Sequence, residues 1–171
     1  MNIETQTNSA YDRLEVGPIK IQETSTEAFE AAVDVLATDL DEEWRANRLK
    51  SDGTYEPRVK YTTDESWIKI HGTNQVDIAN TEFDELPEDW QAENEAAAEE
   101  IVHILDEYGG IIDLADPSTR SEIGSRIHEA WLSRNVWAKG SELDVPFDLL
   151  PAVEQAKDLD QVATALEVFA Q

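Results

Sequence analysis

Phe83-Asp84-Glu85-Leu86-Pro87 and Phe147-Asp148-Leu149-Leu150-Pro151 are two versions of one phrase, 64 residues apart. The correspondence continues without a gap. Gln91-Ala92 matches Gln155-Ala156, Val102 matches Leu166, Ile104 matches Val168 and Leu105 matches Phe169. Upstream, Leu40-Asp41-Glu42-Glu43-Trp44 resembles Ile127-His128-Glu129-Ala130-Trp131 at an offset of 87. Self-similarity of this kind decides the architecture before local propensity does. Each copy reads as a helix carrying Glu-x-Trp, a connection, a Phe-Asp-x-Leu-Pro corner and a second helix. The corner has a physical logic. Phe anchors the incoming chain in the core, and Asp meets free N–H groups near the next helix start. The residue before Pro is kept extended, and Pro suits a helix's first turn.

Apolar spacing outward from the corners fills in the helices. Phe29, Val33, Leu36, Leu40 and Trp44 form one stripe, predicting a helix from Thr26 to Lys50. Thr24 and Glu27 have capping-box spacing before it, and Ser51-Asp52-Gly53 ends it with turn chemistry. A second helix opens at Pro87, buries Trp90, Ala97, Ile101, Leu105 and Tyr108, and stops at Gly109-Gly110. After a linker from Ile111 to Pro117, Ile123, Ile127 and Trp131 predict a helix from Ser118 to Asn135. Pro151 opens the last helix, in which Val153, Ala156, Leu159, Val162, Leu166 and Phe169 step by three and four.

The two connections differ. Trp44 and Phe83 are 39 residues apart, Trp131 and Phe147 only 16. The longer one holds short alternating runs. Gly72-Thr73-Asn74-Gln75 reads as a turn between strands at Ser66–His71 and Val76–Asn80, with Arg58–Thr62 as a third strand. The expected fold is therefore mainly α, two helical pairs related by a pseudo-twofold axis with a small β-hairpin insertion in the first half. Residues 1–18 read as a flexible N-terminal arm, with Ile19–Gln22 a short strand. Residues 19–110 form the first repeat with its β insertion at 58–83, and 111–171 the second. Together they are expected to make one compact domain.

Composition bounds the function. The chain has 171 residues, 38 Asp plus Glu against 13 Lys plus Arg, and a formal charge of −25. Hydrophobic residues make up 40%, too many for a disordered acidic tail. Cysteine is absent, which removes disulfides, thiol nucleophiles and thiolate metal sites. No apolar run is long enough for a membrane span, and the first ten residues are not a secretory signal. The acidity argues against direct nucleic-acid binding, which needs a basic surface. The expectation is a soluble cytoplasmic protein.

The motifs resemble a known family. Glu42-x-Trp44-Arg45-x-x-Arg48, then Gly53-x-Tyr55, the Phe83 corner and a helix ending Ile104-Leu105-x-x-Tyr108-Gly109 look like the ryanodine receptor repeat domain. The second copy keeps His128-Glu129-x-Trp131, Val145-Pro146-Phe147-Asp148-Leu149-Leu150 and Lys157-Asp158. The first copy departs from the family pattern at Thr54, where a Trp belongs, and at Thr81-Glu82-Phe83. The second lacks the Gly-x-x-Tyr-Gly turn, of which Trp137 and Gly140 are a remnant. The resemblance covers about Asp39 to Phe169. It implies a regulatory interaction module without catalysis, with a protein partner or a small ligand that the sequence does not name.

Catalytic and metal motifs are incomplete. Glu100-x-x-His103 has the spacing of a carboxylate-bridged di-iron helix, but a second copy is missing. His128-Glu129 would begin a zinc helix, but Leu132 stands where the second His belongs, so His128 reads as packing on Trp131. Ser51-Asp52-Gly53 and the carboxylates at Asp39, Asp41, Glu42 and Glu43 do not complete a calcium loop. No cofactor and no metal are therefore expected. The candidate partner-binding residues are Trp44, Arg45, Arg48, Trp131 and Arg134, together with Tyr61, Trp67 and His71 in the insertion. Trp44 and Trp131 read first as core anchors, because both continue apolar stripes. Their functional alternative is a cleft on the pseudo-axis with Arg48 and Arg134. Two other functions remain open, an acidic nucleic-acid mimic that occupies a basic partner, and an enzyme using paired carboxylates. The acidity also fits adaptation to a salty cytoplasm.

Overall fold

A computed structural model describes residues 26–170. The expected strand at Ile19–Gln22, the Thr24 cap and the N-terminal arm lie outside the described residues. The elements run α1 (Thr26–Ala46), β1 (Val59–Tyr61), α2 (Glu65–His71), β2 (Gln75–Asp77), α3 (Glu88–Glu107), α4 (Pro117–Arg134) and α5 (Ala152–Phe169). The fold is mainly helical with one small antiparallel sheet, in which Val59 pairs with Asp77 and Tyr61 with Gln75. Two compact units divide between His103 and Ile104.

The first unit holds α1, the insertion and most of α3. Its core is built from Leu36, Ala37, Val76, Ala79, Ala98, Ile101 and Val102. The second unit packs α4 on α5 around Ile123, Ile127, Leu159, Val162, Ala165 and Leu166. The repeated phrase takes the same local form in both. Phe83–Glu85 and Phe147–Leu149 are single 3-10 turns, and Leu86 and Leu150 follow in extended backbone, both buried. The Gln91 side chain then donates to the Leu86 carbonyl at 2.9 Å, and the Gln155 side chain to the Leu150 carbonyl at 3.1 Å. Each Gln satisfies a carbonyl that lies in extended backbone just before the helix and so has no intrahelical donor.

The insertion differs from its expected form. Ser66–His71 is not a strand but lies in the helix α2, and the hairpin is made by β1 and β2 on either side of it. Local chemistry explains the helix. The Asp64 carboxylate accepts from the Trp67 N–H as an N-cap, and Gly72 ends the helix in the left-handed region at φ 71°. Trp67 and His71, one turn apart, stack at 3.9 Å. The alternation of Trp67, Ile68 and Ile70 is therefore overridden by its two caps. Asp64 also accepts from the Glu88 N–H at the start of α3. Asp89 returns the contact by accepting from the Thr62 hydroxyl and the Thr63 N–H. This reciprocal pair of carboxylates fixes the insertion to α3.

Candidate partner-binding surface

The buried polar groups have to be placed before the exposed ones mean anything. In α1 the buried face runs Val33, Leu36, Ala37, Asp41, Arg45. The stripe thus turns inward onto two charged residues, leaving Trp44 37% exposed at its edge rather than in the core. Arg45 is 5% exposed. Its Nε donates to the Ala79 carbonyl at 2.9 Å, its Nη1 to Glu82 at 3.0 Å, and its guanidinium lies 4.6 Å from the Tyr55 ring centre. It braces the connection from inside. Arg48 donates to the carbonyls of Glu56 and Pro57 and lies over the Trp44 ring at 5.1 Å. Trp44, Arg45 and Arg48 are thus brought together, chiefly to hold the turn after α1.

The second unit solves the same problem with a different residue. His128 is buried at the position equivalent to Asp41. Its Nε2 faces the carbonyls of Leu143 and Val145, both at 3.0 Å, so that nitrogen carries a proton. Leu143 lies 64 residues after Ala79, the carbonyl that Arg45 takes. One cation-capable side chain in each unit therefore clamps the carbonyl four residues before the corner Phe. The His128 Nδ1 faces Asp158 Oδ2 at 3.6 Å. Asp158 is equivalent to Asn94, whose side chain lies near Asp41 in the first unit. Both carboxylates are raised to about pKa 6, chiefly because burial disfavours the charged form. Asp41 Oδ2 is buried without a hydrogen-bond partner.

The remaining candidates lie nearer the surface. Trp131 is half-buried, 6.0 Å from the His128 ring and edge-on to Trp137 at 5.6 Å. Arg134 closes the last turn of α4. Trp67 is tied down by its Nε1, which donates to the Glu85 carbonyl at 3.3 Å, and His71 bonds back to the Trp67 carbonyl. Tyr61 is different: the residue is 67% exposed while its carbonyl accepts from the Trp90 indole N–H. Val59 on the same face of β1 is 54% exposed, and Ile70 on α2 is 79% exposed. Ile70 was missed because it reads as a strand core position.

The other chemistry is dispersed. His103 lies beside Phe29 at 4.7 Å and Glu99 at 3.8 Å. Among the described residues no three His, Asp or Glu are grouped to hold a metal ion, and no helix is long and apolar enough to cross a membrane. A shallow depression lined by Phe29, Val33, Glu30, Asp34, Glu95 and Glu99 is open to solvent. No family model, no curated protein and no solved structure matches this chain.

Proposed function

We propose that the chain is a non-catalytic binding or regulatory module, built on two helical pairs of the ryanodine receptor repeat kind, that engages a partner through the insertion of its first unit. The observation that carries this reading is the exposure of Val59 and Tyr61 on β1 and of Ile70 on α2, in an insertion tied to α3 by the Asp64 and Asp89 carboxylates. Large apolar groups held out on a fixed support are what a contact surface needs. The shared internal design of the two units supports the repeat. Gln91 and Gln155 cap equivalent carbonyls, and Arg45 and His128 clamp equivalent connections. Arg45 and His128 are committed internally, which moves the contact role onto Tyr61 and its neighbours.

The test is capture of partners with the intact chain and with a Tyr61→Ala/Ile70→Ala variant. Trp67 and His71 are left in place because they build α2. Loss of discrete partners from the variant, with its circular dichroism unchanged, is expected. Equal recovery sinks the insertion as the contact surface. The charge of −25 favours a second reading, an acidic mimic that occupies a basic protein's nucleic-acid site. Competition with duplex DNA for a basic partner, steeply weakened by salt, would favour it.

A further inference from the structure

The first unit has a second surface, away from the insertion. Phe29 and Val33, one turn apart on α1, give the apolar part of the shallow depression, with Thr26 beside them. The rest of its lining is Glu30 and Asp34 on α1 and Glu95 and Glu99 on α3. No Lys or Arg lines it. α3 contains neither, and the only one in α1 is Arg45, which is committed to Ala79 and Glu82. His103 stands at the edge, its ring 4.7 Å from that of Phe29 and 3.8 Å from Glu99. Glu30, Asp34 and Glu95 make no ion pair among the described residues. Glu30 and Asp34 are four residues apart on one helix, and so are Glu95 and Glu99 on the other; like charges at that spacing repel. Two self-repelling carboxylate pairs therefore flank one apolar floor.

Going beyond the insertion, we infer that this depression docks a basic amphipathic protein segment, its Lys or Arg heads meeting Glu30, Asp34, Glu95 and Glu99 and its apolar groups lying on Phe29 and Val33. Charge complementarity chooses the occupant. A Lys or Arg side chain suits both parts of the lining, because its aliphatic stem packs on apolar surface while its head reaches the carboxylates. A nucleic acid, an anionic lipid surface or a second copy of this chain at −25 would each bring more negative charge to the rim. A metal ion is not served, since no three His, Asp or Glu among the described residues are grouped to hold one. A small apolar ligand is not served either. Pockets for such ligands are mainly apolar and enclose most of the molecule, whereas this depression is open and four of its seven lining residues are acidic.

The test is a subtractive selection. A displayed library of random peptides is panned on the immobilised full chain with excess soluble Glu30→Lys/Glu95→Lys variant present. The variant keeps most of the chain's acidity, so it removes peptides that bind negative charge in general. The expected survivors are net basic with at least one large apolar residue, and they lose at least tenfold in affinity for the variant. They also shift the NMR signals of the His103 ring, which packs on Phe29, and leave those of Trp137 in the second unit unmoved. If no peptide survives, if survivors are neutral or acidic, or if the His103 ring does not respond, the proposal is overturned. Binding gained only when residues 1–25 are deleted assigns the depression to that part of the chain and overturns it too. A Glu30→Gln/Glu95→Gln variant replaces the charge reversal if circular dichroism shows the latter unfolded. A selection that yields only peptides dependent on Tyr61 and Ile70 sinks this inference while leaving the insertion standing as a contact surface.

Discussion

Asp41 and His128 occupy one place in two copies of a helix, and each is answered from the opposite helix, by Asn94 and Asp158 respectively. Each pair holds one carboxylate, Asp41 or Asp158, raised to about 6, so both respond to pH in the same direction. Asp158 is raised from 3.8 to about 6, so the folded state holds its proton more tightly than the unfolded state does. That contribution to stability is fully present below pH 3.8 and is lost as pH rises through about 6. Asp158→Asn is therefore expected to stabilise the second unit by about 1–2 kcal/mol at pH 8 and by little near pH 4, since its amide can donate to His128 Nδ1. Chemical denaturation at the two pH values checks this; equal effects at both contradict it. Gly124 is a second decisive residue. A Cβ there would fall inside the Phe147 ring, whereas the equivalent residue in α1 is Ala37. Gly124→Ala should cost about 1–3 kcal/mol despite its better helix propensity, visible as a lowered Tm. These residues were poorly legible in the sequence. Arg45 was read as a partner contact and His128 as packing on Trp131, and a periodicity argument, which assigns charged groups outward, gave Asp41 and Asp158 no inward role. Only the partner helix shows what each one meets.

The helices themselves were legible, because their stripes are long and their ends carry Pro87, Pro151, Gly109 and Gly110. α4 was placed within one residue at each end, its start set by the Asp116 cap and Pro117. The short elements were not. α2 has seven residues, too few for a helical period to outvote alternation, and its identity lies in Asp64 and Gly72. The strand expected at Arg58–Thr62 is present as β1, but it pairs with β2 across α2 rather than around the Gly72 turn. Two element-scale predictions follow from the caps. Asp64→Ala removes acceptors from the starts of both α2 and α3 and should cost about 2 kcal/mol, twice an ordinary cap. Faster amide exchange at Trp67 and Glu88 together would confirm the double role, and loss at only one of them would contradict it. Gln91→Ala and Gln155→Ala should each cost about 1 kcal/mol. Unequal losses beyond a factor of two would argue against equivalent corners.

At the scale of the whole molecule, acidity shapes stability more than fold. Asp41 and Asp158 gain stability for the folded state as pH falls from above 6 to 3.8. Asp64, Asp77 and Asp116 are held below 3.8, and their contribution is lost as pH drops through that lower range. Stability should therefore peak between about pH 4 and 6, on the acid side of neutrality, and the general repulsion among 38 carboxylates pushes the same way. A denaturation midpoint that falls steadily from pH 7 to pH 5 would contradict this. The functional claim rests on one surface, and photo-crosslinking tests it most directly. A benzophenone side chain replaces Tyr61 in one sample and the exposed Val153 of the second unit in another. The expected result is a discrete protein adduct from position 61 alone, competed away by unlabelled wild-type chain but not by the Tyr61→Ala/Ile70→Ala variant. Adducts from position 153 but not 61, or equal competition by the variant, would contradict it.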